Sequence, residues 1–205
     1  MIMRRMLLVS NFKNTADIFK QIEKDFKGKT ITFIPTAAKA EKISLFSEIC
    51  KQQLKDLELI VDELDISSAP IEEIKHKIRS NDYIFVGGGN TFYLLQELKR
   101  TGADKLITEE IENGKLYIGE SAGAIITSPD IEYIKYMDNI KKAPKLKEFQ
   151  GLKLVDFYIV PHDNAFGFKR AVWKIKRKYT KKLNLYIINN KQAIMIEDNK
   201  IKLLG

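Results

Sequence analysis

Five short apolar runs set the architecture of this chain. They are Met6–Val9, Ile31–Ile34, Leu57–Val61, Tyr83–Val86 and Leu116–Ile118. Stretches with apolar residues at helical spacing lie between them: Ala16, Ile18, Phe19, Ile22 and Phe26, then Ala38–Leu54, Ala69–Ile78, Thr91–Leu98 and Asp104–Glu112. Pro70 suits the first turn of its helix. Strands that are apolar on both faces, each followed by a helix, predict an α/β fold with a parallel sheet covered by helices on both sides. In such sheets ligands sit beyond the carboxyl ends of the strands. Three segments fall there: Pro35-Thr36-Ala37-Ala38, Gly87-Gly88-Gly89-Asn90-Thr91 and Gly119-Glu120-Ser121-Ala122-Gly123.

The pattern changes after residue 127. Residues 129–151 are polar, basic and irregular, strand material lies within Leu152–Val160, and Phe166–Tyr179 has the spacing of a basic amphipathic helix. Leu185–Ile188, Ala193–Ile196 and Ile201–Leu204 read as short antiparallel strands. With 205 residues, no internal repeat and no low-complexity linker, the expectation is a single domain over 1–205. Between Asn139 and Lys182 there are 13 Lys and Arg against three acids, so the net charge of +8 is concentrated in one segment. Such a segment can attract anionic ligands or nucleic acid. It carries no nucleic-acid-binding motif, and a solvated helix face is the preferred reading.

Gly119-Glu120-Ser121-Ala122-Gly123 fits G-x-S-x-G in the required context of a strand before and a helix after. A sharp turn there raises the Ser121 hydroxyl above the sheet and aims the Ala122 N–H, with the helix N-terminus, at an oxyanion. Serine needs a base. Of the two histidines, His76 lies among alternating charges on a helix, whereas His162 follows an apolar run and Pro161 at a strand end. His162 is the expected base. The Gly87–Asn90 loop lacks the spacing of G-x-G-x-x-G and the Lys of a phosphate loop, so an oxyanion or carboxylate site is preferred to a nucleotide site. The acid that would orient His162 stays open among Asp130, Asp138, Asp163 and Glu120. Two separated histidines and one cysteine offer no zinc set, and no cofactor is expected.

Together VGGGNTFYLL (86–95), YIGESAGAII (117–126) and VPHDN (160–164) resemble peptidase E, the serine aspartyl dipeptidase family related to cyanophycinase. The resemblance implies a flavodoxin-like three-layer sandwich with a mostly parallel central sheet, similar to class I glutamine amidotransferases. It implies Ser121 as nucleophile, His162 as base, and an oxyanion hole from Gly88, Gly89 and Ala122. Asn90 and Thr91 would line the substrate site, and Asp138 would be the acid after the elbow. Some members place a triad Glu near the C-terminus; here Asn190 or Gln192 stands in that region. Glu120 occupies a position where relatives carry Trp, and the Arg-containing stretch after the His is reduced to Phe168-Lys169-Arg170.

The expected function is therefore hydrolysis of small peptides, above all dipeptides with N-terminal Asp. The alternative is an altered member that binds a small acidic ligand. The expected partner is a small peptide, not a membrane, since no run of about 18 apolar residues occurs. Nucleic acid is disfavoured, and the assembly is a monomer or homodimer. The single Cys50 and the absence of a signal-like leader point to a cytoplasmic setting.

Overall fold

The computed structural model describes residues 4–41, 45–198 and 200–205. Strand β1 (Arg5–Val9) leads through α1 (Ala16–Ile22) to β2 (Thr30–Ile34). Next come α2 (Thr36–Lys39), α3 (Leu45–Asp56), β3 (Ile60–Glu63), α4 (Ile71–Ser80) and β4 (Tyr83–Val86). Helices α5 (Thr91–Thr101) and α6 (Ala103–Glu112) precede β5 (Leu116–Glu120) and α7 (Ala122–Ile125). The remainder holds β6 (Tyr158–Val160), α8 (Lys169–Tyr179), β7 (Leu185–Ile187), β8 (Ala193–Glu197) and β9 (Lys200–Leu204).

Seven strands form the central sheet in the order β3-β2-β4-β5-β1-β8-β9. The first five run parallel, and β8 and β9 are added antiparallel at one side. The period-2 alternation of each strand divides its residues between two cores. Met6, Leu8, Ile84, Val86 and Tyr117 face one layer, packed against Ile74, Leu94, Leu98 and Ile107. Leu7, Val9, Phe33, Phe85 and Ile118 face the other, against Phe12, Phe19, Cys50 and Leu54. This is the mostly parallel, helix-covered α/β sheet that the apolar runs predicted.

Three expectations are revised. The long helix over 38–54 is two elements, because α2 ends at Lys39 and α3 starts at Leu45; residues 42–44 lie outside the described residues. The third strand starts at Ile60 rather than Leu57, since Glu58 turns the chain with φ 63° and its carbonyl accepts from Gly28 N–H. Leu185–Ile187 does not join the antiparallel addition. It pairs in parallel with β6 in a separate two-stranded sheet, with α8 as the crossover.

That small sheet carries a third core, in which Phe92, Ile125, Val160, Val172 and Ile175 meet Ile131, Tyr133 and Ile134. The irregular 129–151 stretch is therefore anchored by Ile131, by Tyr133 and Ile134 of the 3₁₀ turn Glu132–Tyr136, and by Ala143. The Tyr133 hydroxyl donates to the Ile159 carbonyl and joins this stretch to β6. None of the described helices is long and apolar enough to cross a membrane.

Candidate active site

The carboxyl ends of β1, β4 and β5 meet at one edge, and three loops converge there. Glycine is needed on both sides of Ser121 because the chain segments touch. A Cβ on Gly119 would stand 2.6 Å from the Gly123 carbonyl oxygen, and one on Gly123 would stand 2.1 Å from that of Val86. Tyr117 donates its hydroxyl to the Gly123 carbonyl at 2.6 Å and fixes the turn from beneath. Between them Ser121 adopts φ 50°, ψ −105°, a conformation that costs a non-glycine residue about 1–3 kcal/mol. The Ser121 N–H continues the ladder by donating to the Val9 carbonyl at 2.9 Å. Helix α7 has only four residues, so the local N–H groups rather than a full helix dipole supply the positive field.

Ser121 Oγ lies 2.9 Å from His162 Nε2, and His162 Nδ1 lies 2.9 Å from Asn190 Oδ1. An amide oxygen can only accept, so Nδ1 carries the proton and Nε2 presents its lone pair to the serine hydroxyl. His162 is 8% exposed, and burial holds its pKa below the usual imidazole value, partly offset by the bond to Asn190. Its ring stacks on Phe168, with centroids 4.3 Å apart. Its N–H donates to Ser10 Oγ at 3.1 Å, and Ser10 in turn donates to the Ile188 carbonyl at 3.2 Å. Ser10, just past β1, thus docks the small sheet and the histidine loop onto the large sheet. Asp163 forms an ion pair with Lys176 of α8 at 2.7 Å, which ties the other side of the loop. His76 is exposed on α4, far in function from this cluster.

Asp138 is not in the histidine's shell. Its carboxylate accepts from the Thr91 N–H at 2.8 Å and caps the start of α5. Burial raises its pKa to about 6, with the nearby Glu41 adding to the shift and the Thr91 bonds opposing it. The residue as a whole keeps some solvent exposure, but its carboxyl oxygens face inward. Gln192 also points elsewhere, accepting from the Asn189 N–H at 3.1 Å. Of the residues weighed for the position beside Nδ1, the geometry brings only Asn190 there.

The glycine loop is held by its ends. Gly89 has φ 140°, and a Cβ there would fall 2.2 Å from the Ala37 carbonyl carbon. The Asn90 N–H donates to the Ala37 carbonyl at 2.9 Å, and Asn90 Oδ1 caps α5 by accepting from the Tyr93 N–H at 3.0 Å. Asn90 and Thr91 are 1% and 0% exposed. The Asn90 side chain holds the loop from inside, also donating to the Asn139 carbonyl at 3.1 Å, and neither side chain lines an open surface. Gly88 passes beside the nucleophile: a Cβ there would be 3.2 Å from Ser121 Cβ. Among the described residues, the N–H groups of Gly88, Gly89 and Ala122 have no hydrogen-bond acceptor within the protein. Two surface cavities, of about 390 Å³ against α6 and about 380 Å³ against α4, lie away from this edge. No group of three or more His, Cys, Asp or Glu side chains is placed to hold a metal among the described residues.

Two contributions escaped the sequence reading: Ser10 as the anchor of the histidine loop, and the stacking of Phe168 on the His162 ring. Ser10 carried a signal, since it is the first polar residue beyond a strand's carboxyl end.

A serine on a strained strand-to-helix elbow, bonded to a histidine across the carboxyl edge of a parallel sheet, defines an α/β serine hydrolase. The sequence pattern described as Peptidase family S51 matches residues 6–204, and the chain belongs to that family of peptidases. The uncharacterized peptidase Lmo0363 of Listeria monocytogenes is 51% identical over 199 residues, covering 97% of each chain. Peptidase E of Nostoc sp. is 31% identical over 217 residues, covering 98% of this chain and 86% of that protein. A crystal structure of a candidate peptidase E protein from L. monocytogenes EGD-e matches with a TM-score of 0.95 at 50% identity, over 98% of both chains. A peptidase from an acI-B1 Actinobacterium, 21% identical, shares the fold with a TM-score of 0.74, over 100% of this chain and 88% of that one.

Proposed function

We propose that this peptidase cleaves small peptides, with dipeptides bearing N-terminal Asp as the first substrate class to test, through Ser121, His162 and Asn190. The observation that carries the reading is the continuous pair of 2.9 Å contacts from Ser121 Oγ through the imidazole to Asn190 Oδ1. The Asp preference rests on the likeness to peptidase E proteins.

In the first half-reaction, Ser121 Oγ attacks the scissile carbonyl carbon while His162 Nε2 takes its proton. The carbonyl oxygen becomes an oxyanion, and the N–H groups of Gly88, Gly89 and Ala122 are its donors. Collapse expels the amine, which receives the proton from Nε2 and leaves an acyl-serine. Water then repeats the sequence, with His162 as base, and releases the acid. Asn190 fixes the tautomer and the ring plane but brings no negative charge to the imidazolium, a task a carboxylate would perform.

A panel of Asp-X and other dipeptides with purified wild type and Ser121→Ala tests this reading. Turnover by wild type and none by the variant is expected. Equal inertness of both across the panel contradicts it. The neutral Asn190 favours a second reading, an acidic-ligand binder without turnover, for which Ser121 should not react with a fluorophosphonate.

A further inference from the structure

We propose that Ser10 is a positioning residue for the reaction: its hydroxyl registers the small sheet, which carries the base, against the large sheet, which carries the nucleophile. This rests on the serine-peptidase reading above.

The machinery is divided between the two sheets. Ser121 follows β5 and the glycine loop follows β4, both strands of the large sheet. His162 lies two residues past the carboxyl end of β6, and Asn190 three residues past that of β7. Strands β6 and β7 pair in parallel across α8, so the base and its orienting amide issue from the same end of one βαβ unit. The 2.9 Å contact between Ser121 Oγ and His162 Nε2 is therefore a distance between two sheets. The short 188–192 link ties β7 to β8, but the histidine loop joins β6 to α8 and has no such link. Non-covalent contacts must set its place.

Ser10 supplies one at the centre. It is the first residue past β1, the strand beside β5, and it is 1% exposed. A single hydroxyl makes both bonds: its lone pair accepts from the His162 N–H at 3.1 Å, and its proton goes to the Ile188 carbonyl at 3.2 Å. The ends of β6 and β7 are already closed on each other, with Ile188 N–H on the Val160 carbonyl and Asp163 N–H on the Ile188 carbonyl, each at 3.0 Å. Ser10 fastens that closed pair to the large sheet. The preceding residue, Val9, accepts the Ser121 N–H at 2.9 Å. Nucleophile and base thus hang from adjacent residues of one strand end.

The His162 backbone makes the bond consequential. Its φ is 65°, a left-handed conformation that a residue with a Cβ enters only at a cost. Phe168 and Asn190 act on the ring, whereas Ser10 acts on the backbone. Without the hydroxyl, the Ile188 carbonyl keeps the Asp163 N–H, but the His162 N–H is left buried without its acceptor. The loop is then released toward a negative φ, which swings the ring away from Ser121.

The test compares Ser10→Ala and Ser10→Thr with wild type. Alanine removes the hydroxyl; threonine keeps it. On a dipeptide that wild type cleaves, Ser10→Ala should lose ~10–100-fold in kcat, the cost of misplacing a reacting group by up to about 1 Å, with KM within about threefold. Inactivation by a fluorophosphonate needs the same Ser121–His162 contact but no substrate, and its rate should fall by the same factor. Ser10→Thr should recover most of both losses. Ring ¹⁵N spectra should show the Nδ1-protonated tautomer of His162 in wild type and both tautomers in Ser10→Ala. Unchanged kcat and inactivation rate in folded Ser10→Ala would overturn the proposal. So would a loss that vanishes once rates are corrected for the unfolded fraction, or a folded Ser10→Thr no better than Ser10→Ala. In wild type itself, the His162 amide should be protected from hydrogen exchange; rapid exchange there refutes the proposal even if the variants do not fold. A wild type inert to every peptide and to the fluorophosphonate defeats the peptidase reading; an active wild type matched by Ser10→Ala defeats this inference alone.

Discussion

Replacing Asn190 by Asp puts a negative charge where the structure has only a dipole. Asn190 Oδ1 is 2.9 Å from His162 Nδ1, and the ring is 8% exposed, so little water intervenes. With charge centres about 4 Å apart and an effective dielectric of about 20, the attraction between carboxylate and imidazolium is about 4 kcal/mol. Desolvating the new carboxylate removes part of that. An upward shift of the His162 pKa by about 1–3 units remains, or about 1.4–4 kcal/mol in favour of the charged ring. His162 starts below the ordinary value because it is buried, so the shift opposes the effect of burial. The chain has only two histidines, and His76 is exposed, so their Cε1–H resonances can be followed separately after assignment with His76→Gln. The acid limb of the pH–rate profile should move up with the His162 midpoint. Above that midpoint the rate should rise by ~10-fold or more, because the imidazolium formed during proton transfer is now stabilised. A midpoint that stays put, or moves down, would refute the assignment of Asn190 as the partner of Nδ1.

Asp138→Asn should retain activity within a few fold, because that carboxyl caps α5 and does not orient the histidine. Its folded pKa of about 6 lies above the ordinary 3.8, so the native state binds more protons between those values and stability falls as pH rises through that window. The full shift corresponds to about 3 kcal/mol, and partial solvent access reduces it. Denaturation at pH 7–8 should show the variant more stable by about 1–2 kcal/mol, an advantage that fades below pH 4. Ser121→Gly should abolish turnover yet raise stability by about 1 kcal/mol or more, since glycine is at ease at φ 50°, ψ −105°; an unchanged or lower Tm would argue against strain at the elbow. Gly89→Ala should cost about 2–4 kcal/mol in a denaturant titration, because its Cβ would overlap the Ala37 backbone at 2.2 Å.

What the sequence disclosed follows the reach of local physics. The sheet was legible because alternation within five apolar runs sorts residues to two cores without reference to distant neighbours. Ser121 was legible because Gly119 and Gly123 are demanded by contacts only a few residues or one strand away. His162 emerged by elimination, with one rival on an exposed helix. Asn190 could not be singled out, since a loop after a three-residue strand carries no pattern saying which amide turns toward the imidazole. Its neighbour Gln192 has the same chemistry and bonds Asn189 instead. The placement of β7 was missed for a related reason: antiparallel and parallel short strands look alike in sequence. Only the α8 crossover and the Tyr158–Leu185 register decide between them. Asn90 and Thr91 were assigned to the substrate from the resemblance carried by their GGGNT motif. Burial at 1% and 0% keeps both from the surface, and Asn90 caps α5 and bonds the Asn139 carbonyl within the 129–151 stretch.

The account turns on Ser121 being a nucleophile activated by His162. Treating the native protein with a fluorophosphonate and locating the adduct by mass spectrometry addresses this directly. One equivalent on Ser121, lost in His162→Ala at unchanged fold, is the predicted result. No adduct on the folded wild type, or labelling of Ser121 that persists undiminished without His162, would contradict it.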